Sequence, residues 1–338
     1  MAQKILIIGP SWVGDTVMSQ SLFKLIKQQD PQAEIHVLAP AWTFSLLSRM
    51  PEIAQAIPLP ITHNELKLGE RYRIAKQLQE HHYTQAIILP NSFKSALIPW
   101  LAGIPKRTGW RGEYRYGVVN DLRVLDKKRY PLMVEQYIAL GLPPNAPLPQ
   151  PYPIPTFSVS KASQDAMLVK HNPIWRNRPV LVMCPGAEFG PSKRWPAEYY
   201  AQVANQKIQE GWDIWLSGSQ KDRAVTQQIM TLTEQRCDDL AGRVDLAESI
   251  DLLSLASGII TNDSGLMHVA AALNKPLIAV YGSTSPGYTP PLSPQATVLK
   301  LDLPCQPCFK RECPLKHHRC MLDLKPEQVL AVMAQWGT

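Results

Sequence analysis

The chain has 338 residues, 45% of them apolar, and a formal net charge of +7. This length exceeds the usual size of one domain and predicts two, while the basic balance, with a pI near 9.0, favours anionic partners. No run reaches the roughly 18 apolar residues of a membrane span, and residues 5–9 are too short for a secretory signal, so we expect a cytoplasmic location.

Apolar runs that predict β-strands recur along the whole chain. They cover residues 4–9, 34–39, 84–89, 179–184, 212–217, 258–262 and 276–281, with helical patterns between most of them. The helices predicted at about 17–29 and 196–210 each follow a strand within a few residues, as right-handed crossover units require. This alternation predicts an α/β fold with a parallel sheet in each half.

A proline-rich stretch separates the two halves. Residues 142–157, LPPNAPLPQPYPIPTF, hold seven prolines within thirteen residues, which prevents both a helix and a central strand. We predict one domain at 1–157, including this linker, and a second at 158–338. The alternative is a long surface loop inside a single domain.

A short glycine-acid segment, SWVGD at 11–15, follows the first predicted strand. Gly14 allows the backbone to approach a ligand closely, and Asp15 is placed at the mouth of a helix predicted to begin near Thr16. Asp15 either faces a ligand or merely caps that helix, and the local pattern does not choose between the two.

A second glycine-acid segment, NDSGLMH at 262–268, follows the sixth predicted strand and opens a helix. The free N–H groups of a helix start, the Ser264 hydroxyl and the close approach that Gly265 allows suit a diphosphate. The alternative is a plain helix cap formed by Asp263 and Ser264. We give His268, one turn inside the helix, a supporting role only.

Residues 184–200, CPGAEFGPSKRWPAEYY, run from the fourth predicted strand through a Gly/Pro-rich loop into a helix. The loop carries Lys193 and Arg194, and Pro196 fits the first helical turn. A cation at the carboxyl edge of a sheet suits the neutralisation of a phosphate leaving group, although solvated surface charge is the alternative.

Taken together, SWVGD, PGAEFGPSKRWP and TNDSGLMHVAAAL followed by VYGSTSP resemble the ADP-heptose:lipopolysaccharide heptosyltransferases, glycosyltransferase family 9. The resemblance covers essentially the whole chain, including CFKRECPLKHHRCM. It implies a GT-B fold, in which two Rossmann-like domains face a central cleft, the C-terminal one holding the nucleotide sugar and the N-terminal one the acceptor.

The resemblance also implies a reaction. L-glycero-D-manno-heptose would pass from ADP-heptose to the first heptose of the lipopolysaccharide inner core, with inversion at the anomeric carbon and without a required cofactor. The acceptor would be heptosylated Kdo-lipid A, met by a peripheral enzyme at the cytoplasmic face of the inner membrane.

The family motifs assign roles to individual residues. Asp15 matches the general base and Lys193 the phosphate-binding lysine, so these two are the expected catalytic pair. The expected donor-binding residues are Gly14, Gly186, Lys193, Gly218, Asp222, Val244, Asp263, Ser264, Gly265 and His268. Asp222 departs from the family pattern, because no acid directly follows Ser219, and an exposed position in the first turn of a helix is its alternative.

Three basic residues and one amide of the N-terminal half are the expected acceptor contacts, namely Lys94, Arg111 and Arg115 with Asn91. Cations suit the phosphates and carboxylates of an inner-core lipid, and a solvated basic face is the alternative. No recognised nucleic-acid motif accompanies these residues, so no nucleic-acid partner is expected.

Four late cysteines, Cys305, Cys308, Cys313 and Cys320, have the spacing C-x2-C-x4-C-x6-C, with two histidines inside it. They supply enough ligands for a zinc ion, but the spacing matches no standard zinc motif, and reduced thiols in an irregular loop are the alternative. The two remaining cysteines read as ordinary buried thiols.

Other functions stay open at this point. A heptosyltransferase acting on another inner-core acceptor would share the same loops. A nucleotide-sugar epimerase on the same fold would keep the diphosphate loop, and a non-catalytic ADP-sugar-binding protein would tolerate the loss of Asp15.

Overall fold

The structure, a computed structural model, describes residues 3–62 and 65–336. The chain forms two compact units, Met1–Pro155 and Thr156–Thr338, and the division falls inside the proline-rich stretch. In the described part of the chain, each unit is built on one parallel sheet of six strands. The prediction of two parallel α/β domains is confirmed.

The N-terminal unit contains alternating strands and helices. Its strands are β1 Lys4–Ile8, β2 Glu34–Ala39, β3 Gln55–Pro58, β4 Gln85–Ile88, β5 Lys106–Trp110 and β6 Asp121–Arg123. Its helices are α1 Val13–Gln29, α2 Phe44–Leu47, α3 Leu68–Gln79, α4 Phe93–Leu101 and α5 Met133–Leu140. The sheet order is β3-β2-β1-β4-β5-β6.

The C-terminal unit repeats this plan. Its strands are β7 Val180–Cys184, β8 Asp213–Leu216, β9 Asp238–Asp239, β10 Gly258–Asn262, β11 Leu277–Val280 and β12 Ala296–Leu299. Its helices are α6 Lys161–His171, α7 Ala197–Gln209, α8 Arg223–Leu232, α9 Leu246–Leu255, α10 Gly265–Ala272, α11 Arg319–Leu322 and α12 Pro326–Met333. The sheet order is β12-β11-β10-β7-β8-β9.

The strand orders fix where each unit can hold a ligand. In each unit, the chain first adds strands towards one edge of the sheet and then towards the opposite edge. The direction of winding therefore reverses between β1 and β4 and between β7 and β10. In open α/β sheets, ligands bind beyond the carboxyl ends of the strands at such a switch point. The loops after β1, β4, β7 and β10 therefore carry the candidate site residues.

Buried apolar side chains explain why the central strands form. Leu6 and Ile8 on β1 and Leu181 and Met183 on β7 are almost fully buried, as expected for parallel strands covered by helices on both faces. Each sheet has its own hydrophobic core. Either unit thus buries enough apolar surface to hold its own loops in place.

The seven predicted strands are confirmed within one residue at each end, and the two predicted helices lie at α1 and α7. One boundary was wrong: α1 begins at Val13 and not near Thr16, because Trp12 already has the extended conformation of a helix cap. Among the described residues, no helix is both long enough and apolar enough to cross a membrane.

Candidate active site

The loop after β1 places Asp15 in the first turn of α1. Trp12 is the cap residue, and its carbonyl oxygen accepts hydrogen bonds from the Thr16 N–H and the Thr16 hydroxyl, each at 2.9 Å. Asp15 is the third helical residue, half-buried beside Gly14, and is therefore not the cap residue. The positive end of the helix dipole favours a carboxylate at this position.

An ion pair joins the two switch-point loops of the C-terminal unit. The Lys193 Nζ, on the loop after β7, lies 2.6 Å from Oδ2 of Asp263, which follows β10. The same carboxylate oxygen accepts a hydrogen bond from the hydroxyl of Thr284. Because the Asp263 side chain is only 4% exposed and the Lys193 side chain 12%, the pair is strongly oriented.

His268, in α10, is buried, interacts electrostatically with both members of this ion pair and is neutral at pH 7. Burial lowers its pKa to about 4, and the Asp263 carboxylate opposes that shift only in part. A buried neutral imidazole adds no positive charge to the site, and its supporting role stays a prediction.

The start of α10 lies at the same edge of the sheet. Ser264 occupies the cap position, but its side chain makes no capping hydrogen bond; its Oγ lies 3.2 Å from the Thr261 hydroxyl. Ser264 and Gly265 are half-buried. The alternative that Ser264 simply caps the helix through its side chain is therefore wrong, and the helix start is suited to an external anion.

Asp222 packs against the two glycines that end the neighbouring loops. Its Oδ2 accepts hydrogen bonds from the backbone N–H (2.9 Å) and the hydroxyl (2.7 Å) of Ser219. A Cβ atom at Gly186 would lie 2.3 Å from Asp222 Cγ, and one at Gly218 would lie 3.0 Å from Asp222 Cβ. The structure thus brings these three candidate donor residues together, with Val244 buried in the turn that follows β9.

The candidate acceptor residues divide into two kinds. Asn91 and Arg111 are exposed and Lys94 is half-buried, all in loops that follow β4 and β5 or at the start of α4. Arg115 is different, because its guanidinium is fully buried and donates to Pro90 O at 2.8 Å and to Asn91 Oδ1 at 3.2 Å. The expectation that Arg115 is an accessible acceptor contact was wrong; the structure gives it the role of holding the loop together.

A model of one protein family, described as glycosyltransferase family 9 (heptosyltransferase), matches residues 71–319 of the chain. The chain belongs to glycosyltransferase family 9. As a member of that family it is a glycosyltransferase, and the resemblance inferred from the sequence motifs is confirmed.

Three relatives show how far the similarity extends. The chain is 49% identical over 97% of its length to a lipopolysaccharide heptosyltransferase 2 of Escherichia coli, of which it covers 96%. It is 47% identical over 98% of its length to a lipooligosaccharide heptosyltransferase 2 of Haemophilus ducreyi, covering 99% of that protein. The solved structure of an E. coli ADP-heptose lipopolysaccharide heptosyltransferase II superposes with a TM-score of 0.89 at 47% identity, over 98% of each chain.

These comparisons identify the fold of this family 9 glycosyltransferase. Its two parallel-sheet units are the Rossmann-like domains of GT-B glycosyltransferases. The predicted fold class is confirmed.

The late cysteines of this glycosyltransferase are free thiols. Cys305, Cys308, Cys313 and Cys320 line one pocket together with two histidines. Between residues 3 and 62 and between 65 and 336, no three His, Cys, Asp or Glu side chains form a group that could hold a metal ion. Cys184 and Cys237 are buried, as predicted, and burial raises the pKa of Cys237 to about 11.

Two residues of the site escaped the sequence reasoning. Asn262 is fully buried: its Oδ1 accepts from the Trp195 N–H and the Tyr200 hydroxyl, both at 3.1 Å, and its Nδ2 donates to Pro185 O at 2.7 Å. The signal was an amide at the end of an otherwise apolar strand. Thr284 lies in the family segment VYGSTSP, but nothing in the sequence pointed to its hydrogen bond with Asp263, because the two residues are 21 positions apart.

Proposed function

We propose that this glycosyltransferase transfers L-glycero-D-manno-heptose from ADP-heptose to the first heptose of the lipopolysaccharide inner core, with inversion at the anomeric carbon. The observation that carries the proposal is the sequence identity of 47–49%, over nearly the full length, to proteins named heptosyltransferase 2. The free N–H groups at the start of α10, with the Lys193 ammonium as a further donor beside them, support it, since a diphosphate leaving group needs hydrogen-bond donors and positive potential there.

The donor half of the reaction falls to the C-terminal unit. As the bond between the anomeric carbon and the β-phosphate oxygen breaks, negative charge grows on the departing ADP. Lys193 Nζ and the N–H groups at Ser264 and Gly265 stabilise that charge. Asp263 orients the lysine before the donor binds, and its carboxylate faces the position of the sugar hydroxyls.

The acceptor half requires a base. In an inverting transfer, the acceptor hydroxyl attacks the anomeric carbon on the face opposite the leaving diphosphate and loses its proton as the new bond forms. We assign that proton to the Asp15 carboxylate, in the first turn of α1 at the switch point of the N-terminal sheet.

The N-terminal unit also meets the acceptor. Asn91, Lys94 and Arg111 follow strands β4 and β5 and lie at the same edge of the sheet as Asp15. We propose that they bind anionic groups of heptosylated Kdo-lipid A at the cytoplasmic face of the inner membrane. Sedimentation with vesicles of anionic lipid, compared with zwitterionic vesicles, tests this association.

We propose further that transfer needs no resident metal or other cofactor, because the dipole of α10 supplies positive potential, and its first N–H groups and the Lys193 ammonium supply donors, where a diphosphate would lie. Turnover should be unchanged after dialysis against a chelator. Loss of turnover that is restored by adding back a divalent cation would contradict this.

The decisive experiment is a transfer assay with defined lipid acceptors that carry one heptose or none. We expect product only with the one-heptose acceptor. Asp15→Asn should bind ADP-heptose normally yet lose transfer, whereas Glu70→Gln, at an acid in the first turn of α3, should behave as wild type. Normal turnover in Asp15→Asn would remove it as the base, and donor binding without transfer by the wild type would favour a binding protein.

A further inference from the structure

A cysteine-rich arm, residues 305–320, packs against the loop that carries Lys193. The Ser192 N–H donates to Arg311 O at 3.2 Å, and the Ser192 hydroxyl donates to Lys310 O at 2.5 Å. A further hydrogen bond runs from the Phe309 N–H to Ser283 O at 2.7 Å. The backbone of the arm is thus fixed both to the loop after β7 and to the segment after β11.

Gly190 allows this close approach. Its φ of +151° is a conformation that side-chain-bearing residues rarely adopt, and an added Cβ would lie 2.6 Å from the carbonyl oxygen of Arg311. The glycine is therefore required by the contact between loop and arm.

The contact places a second cation against the aromatic ring that Lys193 also contacts. The ring of Phe189 lies 4.9 Å from Lys193 Nζ and 5.6 Å from Arg311 Cζ, within the range of cation–π attraction for both. Arg311 is exposed, and no carboxylate in the described ranges lies within ion-pair distance of it. Two like charges held on one aromatic ring form a suitable place for an anion.

The charge of the site shows why a second cation is needed. Lys193 is paired with Asp263, so together they carry no net charge. A diphosphate entering such a site meets one cation whose field is already offset by a buried carboxylate. An unpaired guanidinium restores the positive potential, and its planar fork matches two phosphate oxygens at once.

We propose that Arg311 is a binding residue for the diphosphate of the nucleotide-sugar donor, acting beside Lys193. This inference rests on the proposed function for the identity of the donor, but its test requires only binding of ADP. In this proposal the arm supplies Arg311 as the second phosphate-binding side chain, and backbone hydrogen bonds hold the arm against the loop that carries Lys193.

The test compares ADP binding, measured by calorimetry, in Arg311→Gln, Arg311→Lys and the wild type. Arg319→Gln is the matched control, because Arg319 is an exposed arginine of the same arm that pairs with Asp323. We expect Arg311→Gln to weaken ADP binding at least about tenfold, as for the loss of a charge-assisted hydrogen bond, with Arg311→Lys in between and Arg319→Gln unchanged. The melting temperature should not change, since Arg311 is exposed.

An ADP dissociation constant in Arg311→Gln within twofold of the wild type would overturn the proposal. So would a raised KM for the lipid acceptor with unchanged ADP binding, because Arg311 would then be an acceptor ligand. If the wild type binds ADP in an Arg311-dependent manner but fails to transfer heptose, the proposed function fails and the role of Arg311 stands.

Discussion

At the scale of single residues, one carboxylate oxygen organises the donor side of the site. Oδ2 of Asp263 accepts from both Lys193 and Thr284 in surroundings that exclude most water. The motif NDSG and the loop lysine could be recognised in the sequence because they are local patterns. The hydroxyl that holds them could not, since only the folding of β10 beside β11 brings it close.

Thr284→Val should impair the enzyme without unfolding it. The change keeps the shape of the side chain but removes the donor to Asp263, which leaves a buried charge short of a hydrogen bond at a cost of about 1.5–3 kcal/mol. We expect kcat/KM for ADP-heptose to fall roughly tenfold to a hundredfold. Thr284→Ser, which keeps the hydroxyl, should recover most of the rate; equal rates for the valine and serine variants would contradict this role.

The buried imidazole of His268 should make the stability of the protein depend on pH. Its pKa is depressed from 6.5 to about 4 in the folded state. Between these values the unfolded chain binds a proton that the folded chain does not, so stability is full above pH 6.5 and falls as the pH drops towards 4, by about 3 kcal/mol in total.

Urea unfolding at pH 7.5 and pH 4.5 measures this loss. Other groups also titrate in that range, so the informative quantity is the difference between the wild type and His268→Gln, which carries no titratable ring. The pH-dependent loss should be smaller in the variant. An identical loss in both proteins would show that His268 does not contribute.

At the scale of elements, the central strands were predictable and the outer ones were not. Strands such as β1 and β7 are continuous apolar runs because helices cover both of their faces. In contrast, β5 consists of the residues KRTGW and β9 contains only Asp238 and Asp239. Such segments become strands because they pair with a neighbouring strand, and the local sequence pattern does not predict that pairing.

The docking of the cysteine-rich arm leaves no room for a side chain at Gly190. Gly190→Ala combines an unfavourable backbone conformation with a clash against a carbonyl oxygen of the arm. Gly211→Ala is the matched control, because Gly211 also has a positive φ (+87°) but nothing lies within 4 Å of an added Cβ.

We expect Gly211→Ala to cost about 1 kcal/mol in the free energy of unfolding, from backbone strain alone. Gly190→Ala should cost about 1–3 kcal/mol more and should also weaken ADP binding, because Lys193 moves with the loop. Thermal unfolding and calorimetric titration measure both effects. Equal losses of stability in the two variants would show that the arm does not press on the loop.

At the scale of the whole molecule, the described residues form two units of the same plan. Each has a complete parallel sheet and a hydrophobic cluster of its own. The alternation of strands and helices, together with the prolines between the halves, already predicted this division into two units. What the sequence did not predict was the contribution of the cysteine-rich arm to the nucleotide loop, because the arm has no regular periodicity from which its position could be inferred.

Residues 156–338 expressed alone should therefore fold and bind ADP. All C-terminal residues that we assign to the donor belong to this unit, so the dissociation constant should stay within about tenfold of that of the full chain. A cooperative thermal transition followed by circular dichroism, together with calorimetry, checks this. A fragment without a cooperative transition would show that the N-terminal unit is needed for folding.

The contact between the loop after β7 and the cysteine-rich arm constrains the exchange of segments between this enzyme and its relatives. Ser192 and Lys310 are bonded although 118 positions separate them, and Gly190 is shaped to the backbone of Arg311. A chimeric enzyme that takes its arm from one relative and its nucleotide loop from another would inherit two surfaces that were never selected to fit. Grafting either segment of this enzyme into another enzyme should therefore require grafting both.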